Sequence, residues 1–353
     1  MRVAITGATG NVGTSLLHAL RDEAAIEEIV AVARRPASFG DPRVRFVAAD
    51  VARDDLEHAF RGVDAVVHLA WLIQPSRDDA KLHAVNVDGS RRVFEAAVRA
   101  GAGTLVHASS VGAYSPGPKD RRVDESWPTG GIPSLFYSRH KAQAERMLDQ
   151  LEVEHPALRV VRLRPGLIFK RGAATGIRRL FAGPLLPGAL VRPGLIPFVP
   201  DTPRLRFQAV HSLDVGDAYR RALMTQARGA FNIAAEPVLD PPELARLLGA
   251  RRVPVQGRVL RGLADATWRA RLQPAPPGWI DLALGVPLMD VSAARRELGW
   301  EPRHSGAAAL MELLDGLRQG ADHPTPPLAR ATSGPLRSAE LRGGVGAREA
   351  GLP

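Results

Sequence analysis

The chain has 353 residues, 45% of them hydrophobic and 24% charged, with a formal net charge of +10. That composition fits one large or two closely joined globular domains and excludes wholesale disorder. The absence of cysteine excludes a disulfide scaffold, a thiolate metal site and a cysteine nucleophile together.

Residues 2–6 (RVAIT) read as a short buried strand that runs into a glycine-rich turn. The following VGTSLLHALRD sets Val12, Leu16, Leu17 and Leu20 on one helical face. Further strand-like runs fall at 29–33, 44–48, 65–70, 105–108 and 159–163, with helical stretches at 54–61, 79–100 and 136–152 between them. Alternating strands and helices of this kind imply a parallel sheet covered on both faces, a doubly wound nucleotide-binding (Rossmann) fold. After Gly166 the texture changes. Residues 172–206, rich in Gly, Pro, Leu and Arg, read either as lids and loops over a substrate site or as structural loops. A helix is expected over 214–225, capped by Ser212 or Asp214, and others over 241–248, 258–272 and 305–318. Residues 230–233 are expected to return a strand to the main sheet. The division is therefore a dinucleotide-binding domain over 1–166, a smaller, mixed substrate-binding region over 167–319 and a disordered tail over 320–353.

No stretch of membrane-spanning length is free of charge and turn formers, and the N-terminus lacks the pattern of a secretory leader. A cytoplasmic protein is expected. Residues 1–150 carry 19 basic and 19 acidic side chains, so the positive excess lies further along. Arginine is spread through the chain rather than gathered in runs, which points away from nucleic acid and toward a small-molecule substrate. No metal-binding motif is present, and no metal is expected. A homodimer is left open.

TGATGNVG, residues 6–13, lies between the first strand and first helix, where a phosphate-binding turn belongs. Gly7 suits the tight turn, Gly10 lets the backbone approach a pyrophosphate, and Gly13 lets helix and sheet pack closely. The helix N-terminus then offers its amides to the phosphates, which adds Thr9, Asn11 and Val12 to the candidate set. At the end of the second strand, Val32-Ala33-Arg34-Arg35 offers no acid for a ribose 2′-hydroxyl. Arginine suits a 2′-phosphate, so NADP(H) is favoured over NAD(H), with Arg34 the first candidate and Arg35 the second. Surface arginines at a strand exit are the plain alternative.

The glycine turn resembles the TGxxGxxG fingerprint of the extended short-chain dehydrogenase/reductases, the NAD-dependent epimerase/dehydratase family. The resemblance continues along residues 1–320. It implies that Asp50 and Val51 contact adenine, and that Leu69 and Ala70 of His68-Leu69-Ala70 lie beside the cofactor ribose. Asn86 matches the family's helix asparagine, which implies that it holds a structural water or backbone group in the proton path; an exposed helix asparagine is the plain alternative. ASSVGAY at 108–114 is similar to the family's serine strand end, and YSRHK at 137–141 to its YxxxK signature. Arg164-Pro165-Gly166 resembles the segment along the nicotinamide, which makes Pro165 a cofactor contact.

Tyr137 and Lys141 stand four apart on a predicted helix and so share a face. An adjacent ammonium would lower the phenol's pKa and suit Tyr137 for acid/base work, and Ser110 at a strand end can polarise the substrate oxygen. Ser109 is the second candidate for the serine role. The resemblance implies proton exchange at Tyr137 while hydride passes between substrate carbon and nicotinamide. Lys141 would contact the nicotinamide ribose as well. In LRPGLIFKRG, Leu167 stands where sugar-nucleotide epimerases of the family carry an asparagine. That favours a less polar carbonyl or secondary alcohol. A sugar-nucleotide epimerase or dehydratase and a non-catalytic dinucleotide sensor are the alternatives.

Overall fold

The computed structural model describes residues 1–35, 37–188, 191–342 and 344–347. In chain order the first half reads β1 (Arg2–Thr6), α1 (Asn11–Ala19), β2 (Glu28–Ala33), β3 (Val44–Ala48), α2 (Glu57–Phe60), β4 (Ala65–His68) and α3 (Asp79–His83). A π turn (Ala84–Asp88), α4 (Gly89–Arg99), β5 (Thr104–Ala108), β6 (Arg122–Val123), α5 (Phe136–Glu154) and β7 (Arg159–Pro165) follow. The second half holds β8 (Leu167–Phe169), α6 (Ala174–Phe181), β9 (Phe198–Asp201), β10 (Ala209–His211), α7 (Ser212–Met224), β11 (Gly229–Ile233) and α8 (Pro241–Leu248). It closes with β12 (Arg251–Pro254), α9 (Gly257–Arg269), α10 (Gly278–Gly285), β13 (Leu288–Met289), α11 (Ser292–Leu298), α12 (Gly306–Gln319) and α13 (Ser338–Leu341).

Seven strands form one parallel sheet in the order β11-β7-β5-β4-β1-β2-β3. The inner strands are mostly apolar because both faces are covered, although β7 carries the buried Arg159, Arg162 and Arg164. Val3, Ile5, Ile29 and Ala31 face a core built with Leu16, Leu20, Tyr219 and Trp300, while Ala4, Val30 and Val32 face Phe60, Phe94 and Leu148. A third core gathers Tyr114, Leu135, Phe136 and Leu282. Strand order reverses between β1 and β4, and the carboxyl ends of the strands at such a switch point are where ligands of these sheets bind. The doubly wound sheet is as expected, and β11 returns beside β7, pairing Phe231 with Leu163.

Several expectations change. The helix foreseen over 54–61 shrinks to α2, because the Asp54 and Asp55 carboxylates accept the amides of Asp50 and Glu57 instead (2.7 and 2.9 Å). The stretch 79–100 is not one helix, being interrupted by the π turn. α7 begins at Ser212 and is capped by His211, whose Nδ1 accepts from Leu213 N at 3.2 Å, rather than by Ser212 or Asp214. The tail also differs from its reading as disorder. Its residues 321–342 and 344–347 pack on the body, with Thr325, Leu328, Ser333 and Val345 each at most 5% exposed. Residues 348–353 lie outside the described residues. Among the described residues no helix is long and apolar enough to cross a membrane, and no group of three or more His, Asp or Glu is placed to hold a metal.

Candidate active site

The glycine turn takes the conformation its sequence demands. Gly7 has φ +73°, and a Cβ there would lie 2.7 Å from Ala70 N; one at Gly13 would lie 2.5 Å from Gly7 O. The first backbone bond of α1 runs from Thr14 N to Gly10 O, so the amides of Asn11, Val12 and Gly13 precede the helical ladder. Asn11 Oδ1 is buried without a partner. The turn thus leaves backbone room, amide donors and a helix N-terminus together, which fits a dinucleotide pyrophosphate.

A cavity of roughly 400 Å³ runs from this turn to a wall of aromatic and aliphatic side chains. Gly7, Thr9, Gly10, Asn11, Val12 and Gly13 line it, as do Arg34, Arg35, Asp50, Val51, Leu69 and Ala70. Ser109, Ser110, Tyr137, Lys141 and Pro165 complete the sequence-derived set along the same cavity. Asn86 stands apart. It is fully buried in the π turn, where Oδ1 accepts from Leu72 N (2.7 Å) and Nδ2 donates to Leu72 O (2.8 Å). Its amide thus clamps the backbone of the loop after β4.

Ser110 lies two residues after β5 and caps the next turn, its Oγ accepting from Gly112 N at 3.0 Å. Tyr137 enters on the first turn of α5. Ser138 ties that turn to the serine loop: its hydroxyl donates to Gly112 O and accepts from Ile132 N. Ser110 and Tyr137 are therefore held together by the bonds that the Ser138 hydroxyl makes to the backbone beside them. Ser109 is committed elsewhere, donating to Glu145 Oε1 at 2.5 Å. Burial pushes the Glu145 carboxyl up, but the two-pronged contact with Arg164 (2.8 and 3.0 Å) outweighs it and holds the pKa below the usual range.

The electrostatics depart from the sequence expectation. Burial raises the Tyr137 pKa, against a hydrogen bond with Ser110 that pulls it down. Burial also holds Lys141 well below the usual lysine range, with the Glu145 charge pulling the other way. The lowering expected from Lys141 does not enter: burial and the Ser110 hydrogen bond set the direction of the Tyr137 shift. Lys141 Nζ donates to Ala108 O (2.5 Å) and lies 3.2 Å from the centre of the Trp71 ring.

Sequence reasoning missed part of this site. Trp71 lies against Lys141 and edge-on to Tyr137, their ring centres 6.1 Å apart. Trp279 sits 5.1 Å from the Tyr137 ring and 4.9 Å from Phe181. Trp279 also lines the cavity. For Trp71 the one available signal was its position directly after His68-Leu69-Ala70. Leu328 and Pro327, from the segment read as a disordered tail, also line the cavity. Lys170 supports α1: its Nζ donates to Asn11 O, Thr14 Oγ1 and Ser15 Oγ at 2.7–2.9 Å, and burial lowers its pKa to about 8.

A profile of the NAD dependent epimerase/dehydratase family matches residues 3–234. An uncharacterized protein of Mycobacterium tuberculosis is 28% identical over 322 residues; the match covers 90% of this chain, which spans only 30% of that relative's length. A 4-hydroxy-2-methyl-3-oxo-4-farnesyl-3,4-dihydroquinoline-1-oxide ketoreductase of Stigmatella aurantiaca is 27% identical, over 90% of this chain and 96% of its own. A 3 beta-hydroxysteroid dehydrogenase/Delta 5-->4-isomerase of Mycobacterium tuberculosis is 27% identical over 89% of each chain. Among solved structures, the UDP-glucose 4-epimerase of Thermotoga maritima superposes with a TM-score of 0.66 at 18% identity, covering 91% of this chain and 99% of that one.

Proposed function

The chain belongs to the NAD-dependent epimerase/dehydratase family, and from that premise we propose that it is an NADP(H)-dependent oxidoreductase of an apolar ketone or secondary alcohol. One observation carries the reading. Ser110, Tyr137 and Lys141 share a cavity with the glycine turn and Arg34-Arg35, and the far end of that cavity is walled by Trp71, Leu72, Phe181, Trp279 and Leu282. The charged side chains lining it are Arg34, Arg35, Asp50 and Lys141, all in the set assigned to cofactor and chemistry. Among the described residues no charged side chain at the aromatic end would pair with a nucleotide diphosphate, and Leu167 takes the place of a sugar-anchoring asparagine. The ketoreductase and the hydroxysteroid dehydrogenase among the relatives are named for substrates of this apolar kind.

The glycine turn and the α1 N-terminus would hold the pyrophosphate, and Arg34 with Arg35 the 2′-phosphate. When bound, the nicotinamide supplies or accepts the hydride. Ser110 donates to the substrate oxygen and fixes its position. Tyr137 exchanges the proton at that oxygen, and its raised pKa keeps the phenol protonated, the form that donates during ketone reduction. The apolar wall excludes water from the reacting carbon.

Titration with NADPH and NADH, followed by nicotinamide fluorescence, tests the cofactor assignment; tighter binding of NADH contradicts it. A panel of ketones and secondary alcohols then supplies a substrate. Tyr137→Phe keeps the ring packing, so fold and nucleotide binding are expected to survive while turnover falls ~10²–10⁴-fold. Undiminished turnover in that variant would remove the acid/base assignment.

A further inference from the structure

We infer that residues 321–342 and 344–347 form a strap that retains the bound dinucleotide, with Leu328 as its cofactor-facing residue; this rests on the dinucleotide-dependent reading above. The chain leaves α12 at Gly320 and crosses α6, where Thr175 N and Oγ1 both donate to Ala321 O (3.2 and 2.8 Å). Pro327 and Leu328 then enter the wall of the cavity that Gly10, Asn11, Arg34 and Arg35 also line.

The surroundings of Leu328 are built to hold it there. Arg179, itself 5% exposed, donates to Pro327 O from one terminal nitrogen (2.7 Å) and to Ala329 O from the other (2.9 Å), so its fork brackets Leu328. The amides of Leu328 and Ala329 both donate to Thr325 O at 2.9 Å. Beneath them Gly176 clears the way: a Cβ there would lie 3.1 Å from Leu328 Cδ2 and 3.2 Å from Pro327 O. The clamp also lies within reach of the Arg35 charge, which adds to the effect of burial in lowering the Arg179 pKa to about 10. Leu328 packs at Gly176, near the start of α6, whereas Phe181, the residue that meets Trp279, ends that helix, so Leu328 faces the cavity away from the Trp279 wall.

Further along, anchoring is again polar. Arg178 pairs with Glu340, Arg337 donates to Pro184 O and Leu186 O, and Arg77 donates to Val345 O and Gly346 O. Apolar burial is thin by comparison: Leu328, Ala339 and Val345 are buried, while Leu336 is 99% and Leu341 49% exposed. A segment held by a few polar anchors over little apolar area opens at lower free energy than the core. The strap can therefore release for nucleotide exchange without unfolding the body, and dissociation of the dinucleotide waits on that opening.

Three proteins test this against wild type: Leu328→Ala, Arg179→Met and a chain ending at Gly320. The first readout is the dissociation rate of whichever nicotinamide dinucleotide wild type binds more tightly, by stopped-flow displacement. The second is hydrogen exchange of residues 321–342 with and without that nucleotide. Bound nucleotide is expected to slow exchange in the strap, and the shortened chain and Arg179→Met to release it about tenfold faster, the scale of one lost charged hydrogen bond. Leu328→Ala is expected to release it a few-fold faster with the fold intact, which keeps the test alive should either other protein fail to fold. Unchanged release together with unchanged exchange overturns the strap while leaving the oxidoreductase reading in place. A wild type that binds neither nucleotide overturns both.

Discussion

Lys119, Lys141 and Lys170 are buried in a chain that carries only four lysines among 47 basic residues. Each sets a single compact nitrogen on backbone carbonyls or hydroxyls, contacts that need no planar fork. Rarity of lysine therefore marked buried lysines in general, and only the YxxxK spacing singled out Lys141. Trp71 and Leu328 were illegible for a different reason, since their place in the cavity is set by contacts distant in sequence. Lys119 gives a prediction at this scale. Its Nζ donates to Arg206 O (2.7 Å) and Ala283 O (2.9 Å), yet burial lowers its pKa from 10.5 to about 7. Between those values the unfolded chain binds the proton and the folded one does not, so this residue's contribution to stability rises with pH. Lys119→Met is thus expected to look more favourable relative to wild type at pH 7 than at pH 9.5 in urea unfolding. A difference independent of pH would show that the ammonium stays charged in the fold.

At the scale of elements, the strands were readable because a sheet buried on both faces needs continuous apolar runs, and β1, β2, β3 and β11 fall on theirs. Helical periodicity was a poorer guide around residue 86. It cannot reveal a π turn, and Ala84–Asp88 inserts one between α3 and α4. That turn carries Asn86, and with it the clamp on Leu72 that sets the loop bearing Trp71 and Gln74. Asn86→Ala would strand the half-buried Leu72 amide and carbonyl, together costing about 1–3 kcal/mol. A clear loss of stability in urea unfolding is therefore expected, together with weaker nucleotide binding through the loosened loop. Wild-type stability with lost turnover would instead return Asn86 to the proton path.

Over the whole molecule, pattern reading failed where contacts are polar and distant. The segment after Gly320 has no apolar period because its attachment is made by arginines on backbone carbonyls, which leaves no repeat in the sequence. Buried histidines are another property of the assembled fold, and they set its response to acid. Burial lowers His68 to about 3, His140 to about 4 and His107 well below the usual value of 6.5. His68 is satisfied as the neutral ring: Ser90 Oγ, which donates to Asn86 O, accepts from Nε2 at 2.9 Å, and Nδ1 meets the Thr6 hydroxyl at 2.7 Å. His107 has no hydrogen-bond partner at either nitrogen among the described residues and stacks on His68 at 5.4 Å. All three stay neutral in the fold and take up protons when it unfolds. Below pH 6.5 the unfolded chain therefore binds more protons than the folded one. Stability is complete above that value and is lost as pH falls toward 4, by up to about 1.4 kcal/mol per pH unit for each histidine. Glu125 and Glu152, which burial pushes up, oppose the trend only near the carboxylate range. Urea unfolding at pH 7, 6 and 5 is expected to show a steep fall. His107→Phe keeps the stacked ring and removes the titrating nitrogens, so it should flatten the fall by about one proton's share without loss of stability at pH 7. A wild-type stability that stays level from pH 7 to pH 5 would mean that these rings are not held neutral.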